Sequence, residues 1–517
     1  MTMVESDVKK KVLITTSGIG SRLGEITNFT NKSLVRIGNK PVISHIIESY
    51  PTNTNFVITL GHFGTHVKQF LLLAYPNKNF EFVYVDNFKG KGSSLGYSIL
   101  QAESHLKCPF IFHATDTILP DCKYSLEENF CIGSKKEDSS QYTSLNVDAG
   151  LVKKINPKGE LNFDFPYVGV CGIKDYDLFW KELRYLYLKD PNNSELFEGV
   201  VINKMLSKTS FRFVESKKWF DTGNTTELFK TSSYFKGDLE VLDKKNESVY
   251  LFDDFVIKFF HSKKINKDRV YRAKILEGIV PEILEYSENF YKYKKVKSNL
   301  FSHTVTEDSF SKLLEWASDN LWEFDNNESI KTYCKRFYIT KTQERVEKIL
   351  DGKIDNYCKI NGEIIPPIEK LIDNIDLDWL CDGVKSPFHG DFILDNILYD
   401  GDDFTLIDWR QDFAGELKFG DLYYDLAKLN HNLTVNHAIV DKGLFDYSIE
   451  NCHILCHTTL LRCKSILKEF ILAKGLDFKK VEILTSLIWI NMSPLHEYPF
   501  NKFLFNFGKF NLYKLLK

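Results

Sequence analysis

The chain has 517 residues, of which 43% are hydrophobic and 26% charged, and its formal net charge is -3. This length exceeds one ordinary hydrophobic core, and the composition excludes a disordered or fibrous protein, so we expect two or three globular domains. The near-neutral charge gives no field that would attract nucleic acid or an anionic membrane, and neither is an expected partner.

The chain start and the cysteines both favour a cytoplasmic protein. The segment MTMVESDVKKKVLITTSG passes directly into a strand pattern and lacks the apolar stretch of a signal peptide, and the sequence contains no run of about 18 apolar residues. The scattered cysteines indicate reduced thiols. Cys452, His453, Cys456 and His457 have a spacing that would place metal ligands on one helix face, but CHILCHTTLLRCKSIL is more typical of an apolar core helix, which is the favoured interpretation.

Strand and helix patterns alternate in the first half of the chain. In chain order they predict a strand at 12–16, a helix at 40–50, a strand at 56–60, a helix at 65–75, a strand at 80–85, a helix at 94–104 and a strand at 110–113. This rhythm predicts an α/β fold with a Rossmann-like, doubly wound and mostly parallel sheet. Ligands bind at the carboxyl ends of the strands in such sheets, so the residues that follow each strand are the candidate site.

The second half has a different organisation. A polar, charged stretch predicts a linker at 236–246, between a first domain at 8–235 and a second at 247–517. Strand patterns at 249–251 and 255–260 precede a mainly helical region from about residue 309, which is interrupted by a loop-rich segment at 385–420. We therefore expect a small sheet lobe followed by a larger helical lobe.

A glycine-containing loop directly follows the first predicted strand. Gly18 and Gly20 allow backbone N–H groups to approach phosphate oxygens, and Arg22 adds a bidentate cation, whereas the plainer interpretation is a tight turn. Lys32 is a second cation that either returns to the same edge of the sheet or is a solvated surface lysine.

Two further features agree with a nucleotide site in the first half. Lys89-Gly90-Lys91-Gly92-Ser93-Ser94 precedes a predicted helix and offers a second glycine-rich edge for a base or ribose. Asp116 follows the apolar strand FIFHA, where an aspartate either binds a metal ion or caps a helix.

The ordered series GIGSRL, NKSLVRIGNKPVI, GKGSSLGYSILQA, ATD and WFDTG resembles the sugar-1-phosphate and phosphocholine nucleotidyltransferase family over residues 10–235. The resemblance implies a triphosphate loop at Gly18, Gly20, Ser21 and Arg22, an α-phosphate cation at Lys32, base and ribose contacts at Gly92 and Ser93, and Mg²⁺ ligands at Asp116 and Asp221. Thr15-Thr16-Ser17 replaces the usual alanines, and Asn31-Lys32 replaces Pro-Lys. Gly169 and Glu198 lie in segments that resemble acceptor-contacting ones, but they do not identify the acceptor.

The second half contains the segment FHGDFILDNIL, followed by a strand that ends in LIDWR. Phosphoryl transfer from ATP needs a carboxylate to orient the attacking hydroxyl, and an amide and a second carboxylate to hold Mg²⁺. Asp391, Asn396 and Asp408 supply these groups at the spacing that a catalytic loop requires. Lys258, in the strand VIKFF, is a charged residue among apolar neighbours and is either a phosphate-binding lysine or an edge-strand lysine.

HGDFILDNILYD, LIDWR and FGDLYYDLAKL resemble the aminoglycoside phosphotransferase and choline kinase family over residues 247–517. The resemblance implies a two-lobed, protein-kinase-like domain with structural aspartates at Asp421 and Asp425. It also implies that Asp391 orients the acceptor, that Asn396 and Asp408 bind Mg²⁺, and that Lys258 contacts ATP.

Two features depart from that family's pattern. No glycine-rich loop precedes Lys258, so the backbone of Glu247 and Ser248 is the expected cover for the phosphates. Glu277 and Glu282 both qualify as the helix partner of this lysine, and neither stands out.

Together the two resemblances predict a bifunctional transferase with Mg²⁺ at both sites. The kinase would phosphorylate an amino alcohol, polyol or sugar with ATP, and the nucleotidyltransferase would couple the phosphate to CTP or UTP, giving a precursor for surface polysaccharide or lipid. The alternative is a small-molecule kinase with a regulatory, nucleotide-binding N-terminal domain. Homo-oligomerisation is left open.

Overall fold

The structure is a computed structural model that describes residues 11–120, 125–136, 140–235, 245–324, 328–351, 356, 359–448 and 450–517. Two compact units divide the chain: the first comprises Met1–Lys263 and Leu284–Tyr293, and the second comprises Lys264–Ile283 and Lys294–Lys517. The predicted linker at 236–246 lies outside the described residues except for its last two positions.

In its described residues, the first unit has seventeen strands and six α-helices. The strands are β1 Lys11–Thr15, β2 Arg36–Ile37, β3 Lys40–Pro41, β4 Asn55–Leu60, β5 Asn79–Tyr84, β6 Phe110–Ala114, β7 Thr117–Ile118, β8 Phe130–Gly133, β9 Ser144–Asp148, β10 Leu151–Asn156, β11 Phe165–Ile173, β12 Arg212–Glu215, β13 Phe220–Asp221, β14 Glu247–Leu251, β15 Phe255–Phe260, β16 Ile283–Tyr286 and β17 Phe290–Lys294. The helices are α1 Val42–Glu48, α2 Gly64–Ala74, α3 Leu95–Gln101, α4 Tyr176–Lys189, α5 Glu198–Met205 and α6 Thr225–Tyr234.

The main sheet has the strand order β5-β4-β1-β6-β11-β8-β12-β10-β9. β5, β4, β1 and β6 are parallel, with Val12 opposite Phe56 on one side and Ile111 on the other. The central strands β1 and β4 are largely apolar and buried, because both faces of a central parallel sheet are covered. The predicted elements of this half are found within a few residues of their expected bounds. Beyond β6 the pairing changes, since β11 runs antiparallel to both β6 and β8, and the sheet is therefore mixed.

A separate four-stranded sheet, in the order β14-β15-β17-β16, packs within the first unit. The Tyr250 hydroxyl donates a hydrogen bond to the carbonyl oxygen of Leu34 at 2.7 Å, and the Tyr250 ring lies 5.2 Å from that of Phe70. Phe259 and Phe290 join the same buried cluster. The aromatic face of this sheet therefore shares a core with the preceding sequence, although the sequence pattern assigned β14 and β15 to the second domain.

The second unit is mainly helical. Its helices are α7 Lys263–Ile275, α8 Phe301–Thr304, α9 Glu307–Asn320, α10 Lys331–Lys335, α11 Lys341–Asp351, α12 Ile368–Asp373, α13 Leu377–Leu380, α14 Leu422–Asn432, α15 His437–Asp441, α16 Thr458–Ala473, α17 Phe478–Met492 and α18 Phe500–Leu516. Its strands are β18 Asn299–Leu300, β19 Lys359–Ile360, β20 Glu363–Ile364, β21 Lys385–Ser386, β22 Ile397–Tyr399, β23 Phe404–Leu406, β24 Gly420–Asp421, β25 Phe445–Tyr447 and β26 Cys452–Ile454. No helix in the described part of the chain is long and apolar enough to cross a membrane.

The Cys452–His457 cluster is not on a helix, which corrects the metal-ligand interpretation, whereas the expected apolar helix is found over the rest of the segment, from Thr458 in α16. Cys452 and His453 lie in β26, and the His457 side chain accepts a hydrogen bond from the backbone N–H of Thr459 at the start of α16. The i, i+4 argument fails because strand geometry points alternate residues to opposite faces.

Candidate active sites

Gly20 and Asn31 shape the loop that follows β1. Gly20 has φ 72°, and a Cβ there would lie 3.1 Å from the Cβ of Lys32, so both the left-handed backbone and the close approach favour glycine. The buried Asn31 amide donates hydrogen bonds to the carbonyl oxygens of Thr16 at 2.8 Å and His62 at 2.6 Å. Asn31 therefore fixes the backbone that carries Lys32, which gives the unusual Asn-Lys pair a structural role.

Asp116 lies just after β6 and contacts both predicted cations. Its Oδ2 is 3.1 Å from Lys32 Nζ and 3.7 Å from Arg22 Nη2. Burial disfavours the carboxylate, but Lys32 and then Arg22 hold the pKa of Asp116 below its usual value. Asp116 is therefore ionised at neutral pH, and Lys32 is not a solvated surface lysine.

The pairing of β13 with β7 brings Asp221 to Asp116. Asp221 lies opposite Thr117, and the N–H of Thr222 donates to the Asp116 carbonyl oxygen at 2.9 Å. A Cβ at Gly223 would lie 3.1 Å from Arg22 Nη2, 3.1 Å from Asp221 Oδ1 and 3.2 Å from Asp116 Oδ2. Three predicted site residues thus converge on one point, and the glycine leaves that point free.

Among the described residues, no cation forms an ion pair with Asp221, and the charge of Lys136 opposes only in part the effects that raise its pKa. Its carboxylate accepts hydrogen bonds from the Tyr142 hydroxyl at 2.7 Å and from the N–H of Gly223 at 2.8 Å. Burial, followed by the negative charge of Asp116, raises the pKa of Asp221 above its usual value. Tyr142 was not expected from the sequence, because its segment matches no motif.

The Asp116 and Asp221 pair fits a magnesium ion. Mg²⁺ binds in nucleotide sites through one or two carboxylates together with substrate phosphates, and it would relieve the repulsion that raises the pKa of Asp221. Within the described residues, no group of three or more His, Cys, Asp or Glu side chains is arranged to hold a metal alone. Phosphate oxygens or waters would therefore complete the coordination.

The second glycine-rich segment forms a tight turn before α3. Gly92 has φ 82°, and the Ser93 hydroxyl donates to the Gly90 carbonyl oxygen at 2.6 Å. A buried hydrogen bond of 2.9 Å joins the hydroxyls of Ser17 and Ser98, which connects the loop after β1 to α3. The structure thus places the two glycine-rich segments near each other, while base and ribose contacts by Gly92 and Ser93 stay a prediction.

Glu198 is a buried carboxyl at the start of α5, with one oxygen that accepts no hydrogen bond. Burial raises its pKa to about 7. Gly169 has φ 77°, and a Cβ there would approach the Ala114 Cβ to 2.8 Å, so this glycine allows β11 to pack closely beside the end of β6.

In the second unit, the segment from His389 to Asn396 forms a compact loop. The Asn396 amide donates hydrogen bonds to the Asp391 backbone carbonyl at 3.0 Å and to Asp391 Oδ2 at 3.2 Å. The N–H of Ile407 donates to the Asn396 carbonyl oxygen at 2.8 Å, and β22 pairs with β23. Asp408 follows β23 with φ 62°, so the hairpin places it beside the loop.

Each carboxylate of this second site is paired with a cation. Lys428 Nζ, on α14, lies 2.7 Å from Asp391 Oδ1, and Arg269, on α7, forms an ion pair with Asp408. Burial disfavours the charge of Lys428, but Asp391 outweighs it and raises the pKa of Lys428. An amide oxygen at Asn396 and a carboxylate at Asp408 fit Mg²⁺, which would compete with Arg269 for Asp408.

Buried polar residues hold the loop in place. Asp425 accepts hydrogen bonds from the N–H groups of His389 and Gly390, each at 2.7 Å, and Asp421 accepts one from the Tyr338 hydroxyl at 2.7 Å. Arg272 is fully buried and donates to backbone carbonyl oxygens at Phe388, Arg410 and Leu417. The sequence pointed to both aspartates but gave no signal for Arg272.

Lys258 lies on β15 of the first unit, opposite Val249, and its side chain is buried. Its contact with ATP stays a prediction, as does the phosphate cover by Glu247 and Ser248. Glu277 and Glu282 both lie between α7 and β16, outside any helix, so neither is the helical partner that the resemblance implied.

Comparisons with known proteins give two kinds of match, one to a family model and one to individual relatives. Residues 335–442 match the model of the phosphotransferase enzyme family, APH. The chain is 21% identical over 234 residues to "Bifunctional protein GlmU" of Methanococcus vannielii, covering 43% of this chain and 54% of that protein. It is 36% identical over 64 residues to "Probable glucose-1-phosphate cytidylyltransferase" of Bacillus subtilis, covering 12% of this chain and 25% of that protein. The chain thus spans about half the length of the first of these relatives, and less of the second.

Solved structures give similar matches. The CTP:phosphocholine cytidylyltransferase of Streptococcus pneumoniae is 17% identical, with 44% of this chain and 100% of that chain covered and a TM-score of 0.39. The inositol-1-phosphate CTP transferase of T. maritima is 14% identical, with 45% and 98% covered and a TM-score of 0.36. The chain therefore has an N-terminal nucleotidyltransferase-like region and a C-terminal region that matches the APH phosphotransferase family.

Proposed function

We propose that this protein catalyses two consecutive transfers. The C-terminal region phosphorylates a small hydroxyl compound with ATP, and the N-terminal region couples that phosphate to CTP or UTP with release of pyrophosphate. The observation that carries the proposal is the convergence of Asp116, Asp221 and Arg22 on the point beside Gly223. A structural turn has no need to bring two carboxylates together and leave the space between them free.

The nucleotidyl transfer needs positioned charge rather than a general base. A phosphate monoester is already nucleophilic at neutral pH, so its oxygen attacks the α-phosphorus directly and pyrophosphate leaves. Arg22 and Lys32 would neutralise the triphosphate, with Gly18, Gly20 and Ser21 supplying backbone N–H groups. Asp116 and Asp221 would hold Mg²⁺, which supplies further positive charge to the phosphates.

The phosphoryl transfer uses the loop around Asp391. This carboxylate would orient the acceptor hydroxyl, while Asn396 and Asp408 would hold Mg²⁺ and Lys258 would contact the ATP phosphates. The Asp391 carboxylate, which pairs with Lys428, would accept a hydrogen bond from the hydroxyl.

The product of the two consecutive reactions would be an activated head group or sugar for the synthesis of surface polysaccharide or lipid. The similarity to a protein named as a cytidylyltransferase makes CTP the first nucleotide to test. The alternative is a kinase whose N-terminal region binds nucleotide without turnover. The free point between Asp116 and Asp221 favours turnover, because a purely regulatory site has no need for paired metal ligands.

Two isosteric variants test the proposal with Mg²⁺, ATP and CTP or UTP, and mass spectrometry identifies the products. Asp391→Asn is expected to abolish phosphorylation and to retain pyrophosphate release from supplied phosphorylated acceptor. Asp116→Asn is expected to do the reverse. The exposed Asp402→Asn and Asp177→Asn are matched controls that keep both activities. Phosphorylation by the wild type without pyrophosphate release from any nucleotide would instead support the regulatory alternative.

A further inference from the structure

A cavity of about 240 Å³ in the second unit lies outside the groups assigned above. Its walls include Arg336, Phe337, Lys341, Glu344, Arg410 and Asp412. The first four come from a continuous helical stretch in which the π-helical turn Arg336–Thr340 joins α10 to α11. Such π-turns occur frequently at functional sites, because they change which side chains share a face.

Three basic and two acidic side chains line the cavity. Lys341 Nζ lies 4.6 Å and Arg410 Cζ 4.8 Å from the centre of the Phe337 ring. No carboxylate of the described residues forms an ion pair with Lys341, Arg410 or Arg336. Glu344 and Asp412 line the same cavity without approaching these cations to salt-bridge distance.

Arg410 connects this cavity to the catalytic loop. Its N–H donates to the His389 carbonyl oxygen at 2.9 Å, and a Cβ at Gly390 would lie 2.5 Å from the Cβ of Arg410. The side chain of Arg410 therefore begins against the residue that precedes Asp391. Asp391 in turn contacts another cation, Lys428, at 2.7 Å.

The cations repel one another in the absence of a ligand. Burial is the largest effect, and the charges of Arg410, Arg345 and Lys428 add to it, so the pKa of Lys341 is lowered to about 6. Asp391 opposes this only partly. Arg345 is itself held by a hydrogen bond to the Asn491 carbonyl oxygen at 2.9 Å, so it cannot turn away freely. A bound anion would relieve the repulsion and favour the charged form of Lys341.

We propose that this cavity binds the anionic group of the phosphotransferase's acceptor, so that the acceptor is a hydroxy compound carrying a carboxylate or phosphate. The inference rests on the proposed function of Asp391. It specifies the chemical class of the acceptor, which the proposed function did not. The acceptor hydroxyl oxygen forms a bond to the γ-phosphorus of ATP, the bond from that phosphorus to the ADP oxygen breaks, and the hydroxyl proton passes to Asp391. Cationic amino alcohols are disfavoured, because they would add a like charge beside Lys341 and Arg410.

The first test compares acceptors that differ in charge, using the full-length protein with ATP and Mg²⁺. The anions D-glycerate and glycerol 3-phosphate are compared as acceptors with neutral glycerol and with the cations choline and ethanolamine. At least one of the two anions is expected to be phosphorylated with a kcat/KM about tenfold or more above that of every neutral or cationic compound, as for a charge-assisted contact. The two anions separate a carboxylate site from a phosphate site. Preference for glycerol, choline or ethanolamine would overturn the inference.

The second test removes one cation. Lys341→Gln is expected to raise the KM of the preferred anion about tenfold or more and to leave the KM of ATP unchanged. Lys348→Gln, an exposed lysine on the same helix, is the matched control and keeps both values. An equal rise in the KM of ATP would overturn the inference, because the cavity would then bind nucleotide phosphates.

A binding experiment separates failure of this inference from failure of the proposed function. If the wild type phosphorylates no compound, the proposed activity fails. Calorimetric titration of D-glycerate or inorganic phosphate into the nucleotide-free protein then tests separately whether the cavity binds an anion. Saturable binding that is lost in Lys341→Gln and kept in Lys348→Gln supports an anion site. Equal binding to all three proteins, or none to the wild type, contradicts it.

Discussion

The two candidate sites balance their charges in opposite ways. At the end of β6, Asp116 engages both Lys32 and Arg22, while Asp221 has only an uncharged hydroxyl and an amide as hydrogen-bond partners. In the catalytic loop, Asp391 and Asp408 each have a cation, while no carboxylate in the described part of the chain forms an ion pair with Lys341 or Arg410. Among the described residues, the first site therefore has a carboxylate without an ion pair, and the second has basic side chains without one. This difference is the basis of the two proposals above, a metal ion at the first site and an anionic acceptor group at the second.

The largest expected effect follows from filling the free point of the first site. Gly223→Ala places a methyl group within 3.2 Å of Arg22, Asp116 and Asp221 atoms. Pyrophosphate release is expected to fall roughly 10²–10³-fold, as when one stabilising group of a charged transition state is lost. ATP-dependent phosphorylation by the same variant is the internal control and stays unchanged. Full pyrophosphate release would show that the carboxylates do not act together.

A second test removes the buried cation that holds the catalytic loop. Arg272→Met leaves three backbone carbonyl oxygens without a donor. We expect a loss of about 3 kcal/mol or more in the free energy of unfolding, measured by urea denaturation with tryptophan fluorescence. Arg462→Met, which breaks an exposed ion pair with Glu307, is the matched control and is expected to change the free energy of unfolding little. Equal losses would contradict a specific role for Arg272.

The corresponding support in the first unit is the Asn31 side chain. Asn31→Ala removes its two hydrogen bonds to carbonyl oxygens and leaves a buried gap. The expected loss is about 2 kcal/mol in unfolding free energy, accompanied by slower pyrophosphate release because Lys32 loses its fixed backbone. Asn77→Ala, at an exposed turn, is expected to change neither quantity. A normal rate in a destabilised Asn31→Ala protein would separate stability from the placement of Lys32.

The last test concerns Lys341 in the second site. The pKa of Lys341 is lowered to about 6, so the unfolded chain binds an extra proton between pH 6 and about 10.5, and stability rises with pH over that window. Burial lowers this pKa most, the charges of Arg410, Arg345 and Lys428 add to it, and Asp391 opposes them. Lys341→Met is therefore expected to raise the unfolding free energy at pH 7. The gain should shrink as the pH approaches 10. Destabilisation at pH 7 would show that Lys341 is not under repulsion.

The sequence predicted the local features of both sites well. Asp116 was expected at the end of a strand and lies there, and the spacing of Asp391 and Asn396 was expected to form one loop and does. These features depend on residues close together in the chain. The contribution of Tyr142, Lys428, Arg269 and Arg272 was not predictable in this way, because each reaches the site from a distant element.

The sequence by itself determined the order of strands, helices and motifs, since apolar periodicity and glycine position act over a few residues. It did not determine that β14 and β15 share a core with the first half of the chain, because that choice depends on which aromatic faces meet. Nor did it determine which cation serves which carboxylate, or that Lys341 and Arg410 would lie near Asp391 with no carboxylate of their own. Only the tertiary structure decided these points. The Coulomb energy between two charges depends on their distance in space and on how far they are removed from water, and the spacing of residues along the chain gives neither quantity.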